Sequence, residues 1–224
     1  MRAGALTGLQ PDHRRLEQGK LFLEDVKALG RGSSAMVYSV RHRVSKKEFA
    51  CKRIERGPAR FQHDNLRDFL REVRILQRLH HQHIVRLIAS YTDEATFSLI
   101  LLPVANDTLE SLLRQITPSA NEQGESILRH AFGCLLSTLK YLQDHAIRHK
   151  DIKPLNILLS DQGSIYLCDF GISLDYSETK EATTEGRVLG FTPGYCAPEV
   201  GSGEARNALS EVWSMGRVFF DMIV

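Results

Sequence analysis

The sequence predicts an α+β protein in two parts, a strand-rich first part and a mainly helical second part. Three observations predict it. Between Leu21 and about Leu101, short apolar runs bounded by charge recur around one helical stretch. After Pro103, apolar residues instead recur every three to four positions. The segment Leu102-Pro103-Val104-Ala105 separates the two patterns.

Residues 1–20 hold Gly, Pro, Gln and charge without apolar period, which predicts a flexible tail. Val37 to Val40 and Phe49 to Ile54 read as strands. Leu66, Phe69, Leu70, Val73, Leu76 and Leu79 mark a helix, after which Ile84 to Leu87 and Phe97 to Leu102 read as two more strands. The first part thus runs over 21–102, residues 102–105 link, and 106–224 form the second part. There Leu128, Phe132, Leu135, Leu136, Leu139 and Leu142 give a helical stripe. Val212 to Val224 is apolar on nearly every face, which predicts a helix buried in a larger core.

The bulk numbers exclude more than they select. The chain of 224 residues is 42% hydrophobic and 25% charged, as in ordinary soluble globular proteins. A net charge of +2 gives no bulk reason to expect nucleic acid or a membrane surface as partner. No apolar run approaches the roughly 20 residues of a membrane span, and the first residues carry no secretory h-region. Cys51, Cys134, Cys168 and Cys196 are scattered without a C-x-x-C pair, which reads as a reducing cytoplasmic or nuclear setting. An enzyme and a binding module both fit so far.

Chemistry enters with particular residues. The run Gly30-Arg31-Gly32-Ser33-Ser34-Ala35-Met36-Val37 suits backbone approach to a phosphate, and it suits a hairpin turn equally well. Lys52 sits between Ala50 and Ile54 in an apolar strand, so it either faces solvent or is paired. The run His149-Lys150-Asp151-Ile152-Lys153-Pro154-Leu155-Asn156 is harder to explain by folding alone. An Asp, a Lys two residues on and an Asn five on offer a base, a phosphate cation and a metal ligand. Thirteen residues after Asn156, Asp169-Phe170-Gly171 adds a carboxylate of the kind that suits Mg²⁺.

In this order these motifs resemble those of the eukaryotic-type serine/threonine protein kinases, from Leu21 to the end of the chain. The resemblance implies a two-lobed fold with an antiparallel N-lobe sheet, one N-lobe helix and a mainly helical C-lobe. It implies ATP and Mg²⁺ as cofactors and signalling by phosphorylation of Ser or Thr on protein substrates. Gly30, Gly32 and Ala35 would cover the phosphates, Lys52 would hold the α- and β-phosphates, and Glu72 would pair with Lys52. Asp151 would accept or orient the substrate hydroxyl and Lys153 would contact the γ-phosphate. Asn156 and Asp169 would hold Mg²⁺. Val37, Ala50 and Leu158 would sandwich adenine, with Leu101 as gatekeeper and Leu102 and Val104 in the hinge. Lys153 and the segment Thr192-Pro193-Gly194-Tyr195-Cys196-Ala197-Pro198-Glu199 resemble the Ser/Thr rather than the Tyr class.

Within Asp169 to Glu199, Thr183 or Thr184 is a candidate site for an upstream kinase, and a merely polar exposed loop explains both equally. His80, His81 and His83 lack a second ligand group at zinc spacing, so zinc is disfavoured. Three departures stand out. Lys150 replaces the usual Arg. Glu211 stands where the pattern has Asp, and its extra methylene is expected to loosen the anchor of the catalytic loop. The chain ends at Val224 inside an apolar helix, which predicts an incomplete C-lobe with an exposed apolar face. The alternative reading is therefore a catalytically impaired kinase-like fragment that binds nucleotide or a partner.

Overall fold

The computed structural model describes residues 14–15, 23–32, 35–58, 61–115, 122–178, 192–204 and 207–223. The chain divides into two units, Met1–Leu79 with Val85–Ala105, and His80–Ile84 with Asn106–Val224. Residues 80–84, read from sequence as part of the first half, therefore pack with the second.

Strands of the first unit are β1 (Arg14–Arg15), β2 (Leu23–Arg31), β3 (Ala35–His42), β4 (Glu48–Glu55), β5 (Arg86–Thr92) and β6 (Thr96–Leu102). They form one sheet in the order β1-β5-β6-β4-β3-β2, antiparallel except where β1 runs parallel to β5. β1 corrects the expected wholly flexible tail: Arg14 and Arg15 pair with Tyr91 and Thr92 along the otherwise open edge of β5.

The period of two along each strand sorts the side chains. Phe49, Cys51, Val40 and Ile100 meet Ile88, Ala89 and Tyr91 in a buried cluster on one face of the sheet. Residues of the other parity share the opposite face, because directly paired residues point the same way. Helix α1 (Gln62–Arg78) buries Phe69, Glu72, Val73, Ile75 and Leu76, one stripe at helical spacing. Its Phe69 stacks on Phe97 of β6 with ring centroids 5.3 Å apart. Burying two such rings contributes on the order of 2–3 kcal/mol each.

The expected strand at Ile84 to Leu87 begins instead at Arg86. Ile84 bridges to Leu167, and the Leu167 N–H donates to the His83 carbonyl at 2.9 Å, so the segment's backbone pairs within the second unit. Ladder partners, which a local apolar pattern does not encode, move the boundary.

The second unit holds β7 (Asp107–Thr108), α2 (Leu109–Gln115), α3 (Glu122–Asp144), β8 (Ile147–Arg148), β9 (Ile157–Leu159), β10 (Ile165–Leu167) and β11 (Leu174–Asp175). Two further helices follow, α4 (Pro198–Gly201) and α5 (Leu209–Asp221). Leu128, Ala131, Leu135, Leu139 and Leu142 of α3 are buried at three- to four-residue spacing. Phe132 meets Phe219 of α5 at 4.7 Å between centroids. The last helix shows the expected exposed apolar face. Ser210, Glu211, Met215 and Val218 are buried, whereas Val212, Trp213 and Phe220 are exposed among the described residues. No described helix is long and apolar enough to cross a membrane.

Candidate active site

Strand register gathers the predicted nucleotide residues of the first unit. Val37 of β3 lies opposite Lys52 of β4, which lies opposite Leu99 of β6; two residues along, Ala50 lies opposite Leu101. Gly30 is opposite Val37. Gly30, Val37, Ala50, Lys52 and Leu101 thus share the face away from the Phe49 cluster. Leu102 has the other parity, and its side chain packs on that cluster, so only its backbone can serve a ligand on the shared face. Val104 is half-buried just beyond the strand.

Lys52 is paired, which decides between the two readings of the sequence. Its Nζ donates to Glu72 Oε1 at 2.8 Å and Oε2 at 3.1 Å. The Glu72 side chain is 3% exposed and that of Lys52 14%. A carboxylate on the buried stripe of α1 would be costly alone, and the bidentate contact offsets its desolvation. In the glycine run, the Gly32 N–H donates to Ala35 O at 2.8 Å. A Cβ built on Gly30 would meet nothing within 4 Å among the described residues. Packing against the described residues therefore does not demand glycine there, which leaves the close-approach reading standing. Ser33 and Ser34 lie outside the described residues.

In the second unit the loop from His149 to Asn156 connects β8 to β9 and ends in a 3₁₀ turn at Pro154–Asn156. Asp151 Oδ1 accepts from the Thr192 hydroxyl at 2.8 Å. Lys153 Nζ lies 2.7 Å from Asp151 Oδ2 and donates to Thr192 Oγ1 at 2.8 Å. Asn156 Nδ2 donates to the Asp151 carbonyl and to Oδ2, both at 2.9 Å. With the amide nitrogen committed to these two acceptors, Asn156 Oδ1 is the end turned away from Asp151. The Cys168 N–H donates to Asn156 O at 3.0 Å, which ties the residue before Asp169 to this turn. Asp169 is exposed while Phe170 is fully buried, its ring edge-on to His149 at 4.7 Å.

Glu211 anchors the loop. From a buried place on α5 its Oε2 accepts from the His149 N–H at 2.7 Å and its Oε1 from the Lys150 N–H at 2.8 Å. The expected loosening is not found: the longer side chain reaches both amides at ordinary distances. The anchor matters because Lys150 has φ 71° and Asp169 φ 66°, left-handed values that cost non-glycine residues about 1–3 kcal/mol. His149 Nδ1 accepts from the Asp151 N–H at 3.2 Å and its Nε2 faces Cys168 O at 2.9 Å. Only the neutral Nε2–H tautomer satisfies both, so His149 is a positioning group.

Leu158 is half-buried on β9, opposite Tyr166 and Thr108. Thr183 and Thr184 lie outside the described residues. Among the described residues His80, His81 and His83 belong to no metal-ligating group: His81 Nε2 meets Ser137 Oγ at 3.2 Å and His83 Nδ1 donates to Ile165 O at 3.1 Å. Sequence reasoning gave no role in this network to the Thr192 hydroxyl or the His149 ring. The spacing of Thr192 before Ala197-Pro198-Glu199 was a usable signal for the first.

A model of the protein kinase domain matches residues 23–224. The serine/threonine-protein kinase RUNKEL of Arabidopsis thaliana is 32% identical over 195 residues, 87% of this chain and 13% of that protein. The mitogen-activated protein kinase kinase mkk1 of Cytospora mali is 33% identical over 190 residues, 84% of this chain and 34% of that protein. The serine/threonine-protein kinase SIK2 of Gallus gallus is 32% identical over 203 residues, covering 90% of this chain and 24% of its own. The chain spans between 13% and 43% of the length of the curated relatives compared.

Proposed function

The chain belongs to the serine/threonine protein kinase family, and on that premise we propose that it transfers the γ-phosphoryl group of ATP to Ser and Thr hydroxyls of protein substrates. One observation carries the reading: a hydroxyl, that of Thr192, sits 2.8 Å from Asp151 Oδ1 and 2.8 Å from Lys153 Nζ. A carboxylate and a cation that share one hydroxyl are arranged to orient an acceptor and to neutralise a phosphate.

In the proposed reaction the substrate oxygen attacks the γ-phosphorus, the bond to the β-phosphate oxygen breaks, and ADP leaves. Asp151 orients the hydroxyl and takes its proton, and Lys153 offsets charge on the moving phosphoryl group. Lys52, fixed by Glu72, holds the α- and β-phosphates, and the open space over Gly30 admits them. Val37, Ala50 and Leu158 would flank adenine, with Leu101 beside it. The hard oxygen donors Asn156 Oδ1 and the Asp169 carboxylate fit Mg²⁺, which when bound supplies phosphate charge neutralisation. Lys153 with Thr192 supports the Ser/Thr class.

The test is transfer of label from [γ-³²P]ATP with Mg²⁺ to a generic basic protein substrate, against Asp151→Asn. Loss of the base is expected to lower the rate by about 10²–10⁴. Equal incorporation by both forms would refute the proposal. Nucleotide binding in a thermal-shift assay without any incorporation would favour the impaired, interaction-only reading. We further propose an upstream kinase acting on Thr183 or Thr184, and a cytoplasmic or nuclear location supported by the scattered spacing of Cys51, Cys134, Cys168 and Cys196.

A further inference from the structure

Beside the acceptor centre lies an open pocket of about 400 Å³, lined in part by Glu110 and Arg114 of α2 and Arg217 and Asp221 of α5. Pro154, next to Lys153, and Tyr195, three residues after Thr192, complete its near wall. The Tyr195 N–H also donates to the Thr192 carbonyl at 3.2 Å, so the pocket wall adjoins the place where an acceptor hydroxyl would reach Asp151. Its acidic groups are already taken. Arg217 Nη2 lies 2.9 Å from Asp221 Oδ1, and the Tyr195 hydroxyl donates to Asp221 Oδ2 at 2.7 Å, so both oxygens are engaged. Burial first, then the Asp221 hydrogen bond, pushes the Tyr195 hydroxyl up to about 12, which keeps it a donor across the neutral range. Arg114 lies 3.4 Å from Glu110. Two guanidinium groups thus stand against two carboxylates. Leu113 and Phe220, the latter with the Arg217 guanidinium 4.8 Å from its ring centre, supply the apolar surface.

We propose that this pocket receives an uncharged, apolar side chain of the protein substrate, and that Arg217 determines this by occupying Asp221. The inference rests on the phosphoryl-transfer reading above. A basic substrate residue would have to displace Arg217 from a carboxylate that is only 19% exposed, and an acidic one would have to draw Arg114 or Arg217 out of its existing ion pair.

The experiment uses the 224-residue chain and threonine-containing peptides scanned with Leu, Arg or Glu at each position around the acceptor. Both label transfer and binding of fluorescent peptides by anisotropy are read. The unaltered chain is expected to favour Leu over Arg and Glu at one position. Arg217→Ala and Arg217→Leu are expected to shift the Arg-to-Leu preference at that position about tenfold toward Arg, the effect of one part-buried charge-assisted contact. Arg217→Leu keeps an apolar group against Phe220, so agreement between the two variants separates charge from packing. Adding Asp221→Asn to Arg217→Leu is expected to cancel the shift. An Arg preference in the unaltered chain, or no shift in either variant, overturns the inference. Absence of transfer to every peptide refutes the phosphoryl-transfer reading instead, and the anisotropy ratios still decide the pocket.

Discussion

The Lys52–Glu72 pair joins a strand to a helix through two side chains, whereas the Asp151 cluster is held mostly by backbone. Asp151, Lys153 and Asn156 are within six residues of one another, and their loop is tied by the Glu211 carboxylate and the His149 ring. The first arrangement exists only while α1 keeps its place on the sheet. The second is set by short covalent links and buried hydrogen bonds, so it persists wherever its unit is folded. One side of the chemistry is conditional and the other is standing, and substitutions should tell them apart.

The largest effect on stability is expected at Glu211. Glu211→Ala leaves one buried and one part-buried N–H group without their acceptor and is expected to lower unfolding free energy by about 2–4 kcal/mol in urea titration. Glu211→Asp should recover part of it. An unchanged urea midpoint in Glu211→Ala would show that the loop is held by something else. Glu72→Gln is the counter-test. It keeps an acceptor for Lys52 and removes the charge, so stability is expected to fall by only about 1 kcal/mol, while kcat/KM for ATP falls at least tenfold. A loss of stability as large as that of Glu211→Ala would abolish the contrast.

The smallest effect concerns residues 80–84, which follow α1 in sequence and pack with the second unit. His81 accepts from the His83 N–H at Nδ1 at 3.3 Å, and its ring lies 4.9 Å from Tyr141 and 5.7 Å from His83. Burial, then the charge of His83, lowers its pKa from the ordinary value. A histidine with a depressed folded pKa contributes stability that is present above about pH 6.5 and lost as pH falls. Melting temperature should therefore drop on acidification, and His81→Gln should flatten that slope; parallel slopes would place the acid sensitivity elsewhere.

Much of this was legible in the sequence. The strands and α1 followed from apolar spacing, because one buried face imposes a period of two or of 3.6. Asp151, Lys153 and Asn156 were legible because so many polar groups beside an apolar run need a reason. What escaped depends on distant partners. Local pattern gave Ile84 to β5, but its backbone pairs with Leu167. That the Leu102 side chain packs on the Phe49 cluster, leaving its backbone for the hinge, follows from strand parity and not from the local run. Glu211 was read as a weakened anchor because side-chain length alone does not say where α5 sits.

The double hydrogen bond of Glu211 has a consequence beyond anchoring. Glu211 and Asp221 lie on one helix ten residues apart, or about 15 Å at 1.5 Å per residue. One rigid rod therefore carries both the carboxylate that holds the catalytic loop and the carboxylate that faces the pocket. If peptide binding favours the helix position in which Glu211 reaches both amides, reciprocity requires the ordered loop to raise peptide affinity by the same factor. The helix then acts as a balance beam between acceptor recognition and loop order, its two pans the carboxylates at either end.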